Sequence, residues 1–292
     1  MIDRCIDDFI EHGRADLVMD LANPVPAATT MHMLGLDWAE WRYFAEPLHA
    51  VMYSPAGSVA NQAAQRAVQA FGQRIVDEVE LRQRSPRDDM IGKLLVSEHQ
   101  GRRTEKEEVV DLVRMVIFGG MDTVVAALSN MFVQIGRRPD LRARLLADAT
   151  LIPGTIEEFL RFEAPIQGFS RLATRDAEVG GRAVKAGETV FMLWGSANRD
   201  ETVFGDKSEE LILYRPLNRH MAFGVGAHHC IGSNVARAEL RLVLEQVLQW
   251  MPDFVVRWDE VVEAETIGSS YGRQRVPVEF EPRRRITNPA AP

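Results

Sequence analysis

Residues 222–232 read AFGVGAHHCIG, a glycine-rich loop that contains two adjacent histidines and one of only two cysteines in the chain. Apolar side chains then recur at helical spacing, which predicts a helix over residues 234–250. Cys230 therefore lies just before a helix N-terminus. The loop alone is compatible with a zinc ligand, a nucleophile, a redox thiol, a haem ligand or an inert cysteine.

The residues around Cys230 do not suit these roles equally. Structural zinc needs about four ligands at recognisable spacing. Here His228, His229 and Cys230 are contiguous, and the other cysteine, Cys5, lies 225 residues earlier in the sequence. A reactive thiol remains open, because a helix N-terminus and nearby histidines favour the thiolate, and an inert buried cysteine also remains open. A haem ligand explains more of the loop, since glycines let the backbone fold around the sulfur and Phe223 offers a flat apolar face.

A second unusual stretch, GGMDT at residues 119–123, interrupts a long predicted helix. That helix is expected to begin at a Thr104-x-x-Glu107 capping box and to run to about Phe132. Two interior glycines cost roughly 1 kcal/mol each relative to alanine, and an acid and a hydroxyl follow where a buried face is expected. The stretch indicates either close helix packing or a widened helix beside a ligand pocket, and its Asp-Thr pair favours the pocket.

A third stretch places Glu158 and Arg161 one turn apart on a short helix that Pro165 should end. Thr155-x-x-Glu158 has the spacing of another capping box. Taken alone, the two charges would form an exposed ion pair that stabilises the helix by only a few tenths of a kcal/mol.

Together these stretches resemble the cytochrome P-450 family of haem-thiolate monooxygenases. FGVGAHHCIG, continued by SNVAR, is similar to the family's cysteine-ligand signature, and GGMDT is similar to its distal-helix motif. EEFLRFEAP at 157–165 is similar to the Glu-x-x-Arg helix. ANRDETVF at 197–204 and YRPLNRHMAFG at 214–224 are similar to the segments that lead into the cysteine loop. The order and spacing of all these segments agree with the family.

The resemblance implies haem b as the cofactor, with Cys230 as the axial ligand of the iron. It implies that His228 and Arg171 bind the haem propionates, a role that suits cationic donors. The other residues expected around the cofactor are Phe223, Gly224, Gly119 and Gly120.

The resemblance also assigns roles away from the iron ligand. Glu158, Arg161 and Arg215 would form a buried ion network that holds the cysteine loop in register. Asp122 and Thr123 would manage protons on the distal side of the haem. The residues expected near the substrate pocket are Val116, Ile166, Gln167, Phe169 and Ser269.

The implied activity is insertion of one oxygen atom from O2 into a small, mainly hydrophobic organic substrate. Thiolate ligation favours O–O cleavage, which needs protons delivered through a hydroxyl and water. The Asp122-Thr123 pair disfavours peroxide-driven chemistry. No Gly-x-Gly-x-x-Gly stretch suggests a built-in reductase, so electrons are expected from a ferredoxin or similar partner. Arg237 and Arg241 are expected to offer it cationic contacts unless they are buried or paired.

The expected fold is mainly α-helical with small β-sheets, one cytochrome P-450 domain over residues 1–292. Helical spacing predicts helices over residues 2–36, with a break at the prolines of 23–26, and over Val59–Arg84. Short strands are expected within 171–193 and 254–280.

Composition narrows the class of protein and its location. A net charge of −8 and a pI near 5.5 argue against nucleic acid as the main partner. Two cysteines cannot make a disulfide framework, and the N-terminus does not resemble a signal peptide. A soluble cytoplasmic protein with no membrane partner is therefore expected.

The resemblance begins in the middle of the family pattern. The family's first sheet strands, its B helix and its C helix have no counterpart, which implies a chain truncated at its N-terminus. We expect such a chain to bind haem weakly. A haem-binding or haem-less remnant without turnover is therefore the alternative function.

Overall fold

A computed structural model describes residues 1–216, 218–263 and 270–286, and these residues are mainly helical, as predicted. The α-helices in chain order are α1 (Ile2–Asp7), α2 (Pro24–Leu34), α3 (Trp41–Tyr53), α4 (Val59–Arg84), α5 (Met90–Val96), α6 (Lys106–Gly120), α7 (Asp122–Arg137), α8 (Pro139–Ala147), α9 (Ile152–Phe162), α10 (Trp194–Ala197), α11 (Glu201–Phe204) and α12 (Ser233–Trp250). A π-helix, Leu17–Ala22, precedes α2.

Short antiparallel strands form small sheets within the described residues. The strands are β1 (Arg14–Asp16), β2 (Glu98–His99), β3 (Arg102–Arg103), β4 (Gly168–Leu172), β5 (Ala177–Val179), β6 (Arg182–Val184), β7 (Thr189–Leu193), β8 (Val255–Val256), β9 (Val262–Glu263), β10 (Arg273–Arg275) and β11 (Pro277–Glu279). β11 lies between β1 and β8, while β2 pairs with β3, β4 with β7, β5 with β6 and β9 with β10. The strands expected within 171–193 and 254–280 are present.

Two apolar clusters form the core. The first packs α7, α9 and α12 together with the N-terminal segment and the last strands. The second packs α2, α3, α4 and α6. Because Met121 belongs to the second cluster and Val124 to the first, the junction of α6 and α7 lies where the two clusters meet.

The long helix predicted through residues 119–123 differs from the structure at both ends and in the middle. It begins at Lys106, where Glu105 and Glu108 form the capping box, whereas the Thr104 hydroxyl bonds to Ser97 across the β2–β3 hairpin. It is broken at Met121 into α6 and α7, and α7 continues beyond Phe132 to Arg137. The Thr104 prediction was wrong because the hairpin, rather than the helix, takes up its side chain.

The second predicted capping box was also wrong. Helix α9 begins at Ile152 with Pro153 in its first turn, so Thr155 is already inside the helix. Its hydroxyl donates to the Leu151 carbonyl at 2.8 Å. Glu158 is consequently a buried mid-helix residue, free to accept hydrogen bonds from other segments.

The N-terminal segment is less helical than its periodicity predicts. β1 pairs with β11. The break predicted at the prolines is present, because a π-helix ends at Ala22 and α2 begins at Pro24. Helix α4, in contrast, has the predicted bounds, and the Ser58 hydroxyl caps its start by accepting from the Asn61 N–H. Within the described residues, none of the helices combines the length and the apolar character needed to cross a bilayer.

Candidate active site

The cysteine loop is closed by a backbone hydrogen bond, in which Cys230 N–H donates to the Phe223 carbonyl at 2.8 Å. Gly224 and Gly226 take left-handed conformations, with φ of 66° and 65°, which a side chain would strain. The Cys230 side chain is exposed, and a Cβ added at Gly232 would lie 3.9 Å from Sγ, an ordinary van der Waals contact. The sequence folds here into a tight turn that presents the sulfur outward.

Helix α12 begins at Ser233, three residues after the cysteine. The first N–H groups of a helix have no partner within it, and they carry a partial positive charge. Cys230 therefore lies next to the helix end whose partial positive charge favours a thiolate.

The GGMDT stretch forms the junction between α6 and α7. The Thr123 hydroxyl donates to the Gly119 carbonyl at 2.8 Å, so it satisfies a carbonyl next to the break. A Cβ added at Gly119 would meet nothing within 4 Å, whereas one at Gly120 would lie 2.7 Å from Oγ1 of Thr30 on α2. Gly119 thus faces open space, and Gly120 allows α6 to pack closely on α2.

Asp122 is buried beside two aromatic side chains of α3. Its Oδ1 lies 3.1 Å from Nδ1 of His49, whose side chain is 13% exposed. Burial, followed by the nearby Asp122 charge, raises the pKa of Tyr53. The rings of His49 and Tyr53 are 4.6 Å apart. Sequence reasoning missed both residues, because their spacing indicates only a shared helix face and carries no sign of contact with Asp122.

The structure brings Glu158, Arg161 and Arg215 together in one buried ion cluster. Arg161 donates to both Glu158 carboxylate oxygens, at 2.8 and 2.9 Å, and Arg215 Nε lies 3.1 Å from Oε2. The Asn218 amide and the Ile212 N–H complete the bonds to Glu158. One buried carboxylate thus binds two guanidinium groups, whose remaining N–H groups donate to backbone carbonyls.

This cluster connects α9 to the segment that leads into the cysteine loop. Arg161 donates to the carbonyls of Asn198 and Ser208. The Asn198 side chain accepts from the Met221 N–H at 2.6 Å, two residues before Phe223. The position of the loop thus depends on the helix that carries Glu158.

A second polar group, missed by sequence reasoning, holds the loop from α12. Glu157 is bound by Arg237, at 2.7 and 2.9 Å, and by His220, at 3.0 Å. Although burial opposes it, these hydrogen bonds lower the pKa of Glu157 to about 2. The Arg237 guanidinium also lies 4.4 Å from the Phe223 ring centroid. Arg237 is therefore engaged within the chain, and of the two arginines expected to meet a partner it is the less available.

The two residues expected to bind propionates are exposed. Arg171 lies on β4, where Nη1 donates only to the Ser170 carbonyl, and His228 lies on a 3-10 turn, Gly226–His228. Neither forms an ion pair within the described parts of the chain. Both side chains are thus exposed and could donate hydrogen bonds to an anionic group.

The residues expected near the substrate pocket have varied surroundings. Val116 packs partly against the second core cluster. Ile166 is buried and forms a β-bridge with Ser270, and Gln167 donates to the Ala164 carbonyl at 2.6 Å. Phe169 is 41% exposed and lies edge-on to Trp194. Ser269 lies outside the described residues.

These residues fit haem better than a bare metal ion. No group of three or more His, Cys, Asp or Glu side chains within 1–216, 218–263 and 270–286 could hold a metal ion. The exposed Cys230 thiol beside the start of α12, the exposed Arg171 and His228 side chains and the open space at Gly119 are each compatible with a bound haem. Ile231, beside the cysteine, is 90% exposed and offers apolar surface to such a ligand.

Comparison with known proteins decides the family. The family model described as Cytochrome P450 matches residues 28–251, more than half of the chain. The chain belongs to the cytochrome P450 family. The steroid C26-monooxygenase of Mycolicibacterium smegmatis is 34% identical over 285 residues, which cover 97% of this chain and 71% of that protein. Cytochrome P450 130 of Mycobacterium tuberculosis is 34% identical over 271 residues, covering 92% and 66%.

Solved cytochromes P450 share the fold. The himastatin post-tailoring hydroxylase HmtN superposes with a TM-score of 0.86 at 27% identity, over 96% of this chain and 73% of its own. CYP109E1 from Bacillus megaterium, in complex with corticosterone, gives a TM-score of 0.86 at 26% identity, over 96% and 76%. The chain thus spans between 66% and 76% of the length of these relatives.

Several sequence predictions are confirmed at the level of the family. Cytochromes P450 bind haem b, and relatives that cover most of the chain are named steroid C26-monooxygenases, so the predicted fold, cofactor and enzyme class hold. The roles of individual residues, Cys230 included, remain predictions.

Proposed function

We propose that this cytochrome P450 inserts one oxygen atom from O2 into a small, mainly hydrophobic substrate, with electrons from a ferredoxin or similar donor. The observation that carries the proposal is the cysteine loop, whose sulfur is exposed at the start of α12 while buried charges on α9 hold the loop behind it. A surface thiol of no function would not need such support.

On the proximal side, Cys230 would bind the haem iron. The haem, when bound, supplies the activation of O2 and the oxidation itself. The chain's part is to hold and orient: Arg171 and His228 would bind propionates, and Phe223 would lie against the macrocycle.

On the distal side, Thr123 and Asp122 would handle protons. The Thr123 hydroxyl donates to the Gly119 carbonyl, and its oxygen would accept a hydrogen bond from a water next to the open face of the helix break. Asp122, buried against His49, would return that proton from a position away from the iron. Proton delivery through a hydroxyl and a water suits this reaction better than delivery by a strong acid beside the iron.

Two similarities support a hydrophobic substrate. One relative is named a steroid monooxygenase, and a solved relative is in complex with corticosterone. In this chain the expected pocket residues Val116, Ile166 and Phe169 are apolar.

Arg241 on α12 is the arginine that an electron donor could contact. Its side chain is 50% exposed, and its ion pair with Glu245 is long, at 4.0 Å. The small number of cysteines and the acidic charge support a cytoplasmic location.

The test is a spectrum with a matched pair of cysteine variants. The chain is loaded with haem, reduced and exposed to CO, and a red-shifted Soret band is expected from thiolate ligation. Cys230→Ser should abolish that band, while Cys5→Ser, which changes the other cysteine, should keep it. An unchanged band in Cys230→Ser would refute the assignment of the ligand.

Turnover then separates the two candidate functions. Testosterone as probe, with NADPH, a ferredoxin and its reductase, should yield a hydroxylated product, and Thr123→Ala should consume NADPH with less product. The alternative is a haem-binding or haem-less remnant without turnover. Loss of haem during gel filtration of the parent chain would support the remnant.

A further inference from the structure

A buried ion cluster joins α7 to the residues just before Ile166, and neither the sequence motifs nor the proposed reaction accounts for it. Arg273, on β10, is 2% exposed. Its Nη1 donates to Oδ1 of Asn130 and lies 3.1 Å from Oε2 of Glu163. Gln134 donates to the other carboxylate oxygen of Glu163. All these side chains are buried.

The cluster joins three segments that are far apart in sequence. Asn130 lies on α7, Glu163 follows α9, and Arg273 belongs to the C-terminal strands. The Arg273 N–H donates to the Ser129 hydroxyl at 2.9 Å, and the Asn130 amide donates to the carbonyls of Tyr271 and Glu163. Removing the guanidinium would therefore loosen α7, which is called the distal helix below, together with the end of α9 and the C-terminal segment.

The segments held in this way include part of the expected pocket wall. Ile166 follows Glu163 by three residues and forms a β-bridge with Ser270. The Tyr271 N–H donates to the Pro165 carbonyl at 2.8 Å. Pro165 and Ile166, called the Ile166 wall, are thus joined to the C-terminal residues 270–273 as one unit. Arg273 connects this unit to α7 by hydrogen bonds.

Close packing next to Arg273 shows how tightly the unit meets the distal helix. A Cβ added at Gly272 would lie 2.8 Å from Cα of Ala126 and 2.8 Å from the Tyr53 hydroxyl. Ala126 is one helical turn after Asp122, and Tyr53 lies on α3 beside the same carboxylate. The unit therefore packs closely on α7 and α3, next to the expected proton-handling residues.

Stability alone is a poor reason for such a cluster. Replacing a buried ion pair by apolar side chains of similar volume is often neutral or stabilising, because desolvation costs offset the attraction. What the charges supply is a defined geometry, since several directional bonds must be met together.

We propose that Arg273 is a positioning residue for substrate selection, which fixes the spacing between the Ile166 wall and the distal helix. The proposal rests on the proposed function, because it assigns the space between these elements to the substrate. On this proposal, Arg273 controls how large a molecule can bind and does not affect the bond between that molecule and the iron.

The first test compares two azoles that bind the haem iron alike and differ in bulk. Imidazole and 4-phenylimidazole are titrated spectrally into the haem-loaded parent, Arg273→Met and Arg273→Lys. In Arg273→Met the Kd of imidazole should change less than about twofold, and that of 4-phenylimidazole should rise about tenfold or more. Arg273→Lys should recover part of the loss. Equal changes for both azoles, or no change for either, would overturn the proposal.

The second test needs no haem and so separates this proposal from the proposed function. Amide hydrogen exchange is measured on the haem-free chain, with Arg257→Met as the matched control, because Arg257 is a half-exposed arginine that pairs with Glu279. Arg273→Met should speed exchange over residues 163–172 and 270–275, and Arg257→Met should not. Unchanged exchange over 163–172 in Arg273→Met would refute the positioning role even if no variant retained haem.

Discussion

Glu239 should make the folded protein less stable as the pH rises. It lies on α12 nine residues after the cysteine, is buried, and its Oε1 has no hydrogen-bond partner in the described part of the chain. Burial raises the pKa of Glu239 to about 7, although a hydrogen bond with Thr29 partly opposes the rise. We predict that Glu239→Gln removes the resulting pH dependence.

The magnitude and sign follow from the two pKa values. Between its ordinary pKa of 4.5 and the folded value of about 7, Glu239 binds a proton in the folded protein and has released it in the unfolded chain. The free energy of unfolding therefore falls as the pH rises through that interval. The loss is complete above it and amounts to about 3 kcal/mol, at 1.36 kcal/mol for each pKa unit.

The assay is urea unfolding of the haem-free chain, followed by circular dichroism from about pH 4 to pH 8. Glu239→Gln and the parent should be equally stable at the acid end, and the variant should gain up to about 3 kcal/mol over the parent by about pH 8. A stability difference between Glu239→Gln and the parent that is flat over the whole range would refute the reasoning.

Gly120→Ala should lower the free energy of unfolding by about 1–3 kcal/mol, because its Cβ would lie 2.7 Å from Thr30 Oγ1; urea midpoints should show the loss, and Thr30→Ala should relieve it. Gly119→Ala meets nothing within 4 Å and should leave the haem-free chain as stable as the parent or up to about 1 kcal/mol more stable. It should nevertheless weaken haem binding in an absorbance titration, and an unchanged affinity would contradict the placement of Gly119 beside the cofactor. His49→Leu should cost about 1–3 kcal/mol in urea unfolding, because Asp122 loses a buried partner at 3.1 Å. His49→Gln, which keeps an N–H donor, should recover at least half, and equal losses would assign the effect to packing.

Features that depend on neighbours in sequence could be predicted. Helical spacing of apolar residues located α4 and α12, since residues three and four apart share a helix face. The glycines around Cys230 indicated a tight turn, and two of them do take left-handed conformations. The capping boxes at Thr104 and Thr155 were misplaced, because both hydroxyls bond to groups that the local pattern does not reveal.

Features that depend on packing could not be predicted from the residues themselves. Two adjacent glycines have identical side chains, yet Gly119 faces open space and Gly120 faces Thr30. The pattern around Glu158 is that of an ordinary surface ion pair, and only the resemblance to a family suggested burial. The difference arises because burial is decided by which other segments cover a residue.

The sequence by itself determined the family, the cofactor class and the residue expected to bind the iron, because those follow from short motifs in a defined order. Only the tertiary structure decided which side chains support that chemistry. His49 meets Asp122 across 73 residues, and Arg273 meets Asn130 across 143. Such contacts form when helices and strands pack, and side chains that are distant in sequence carry no local periodicity that could reveal them.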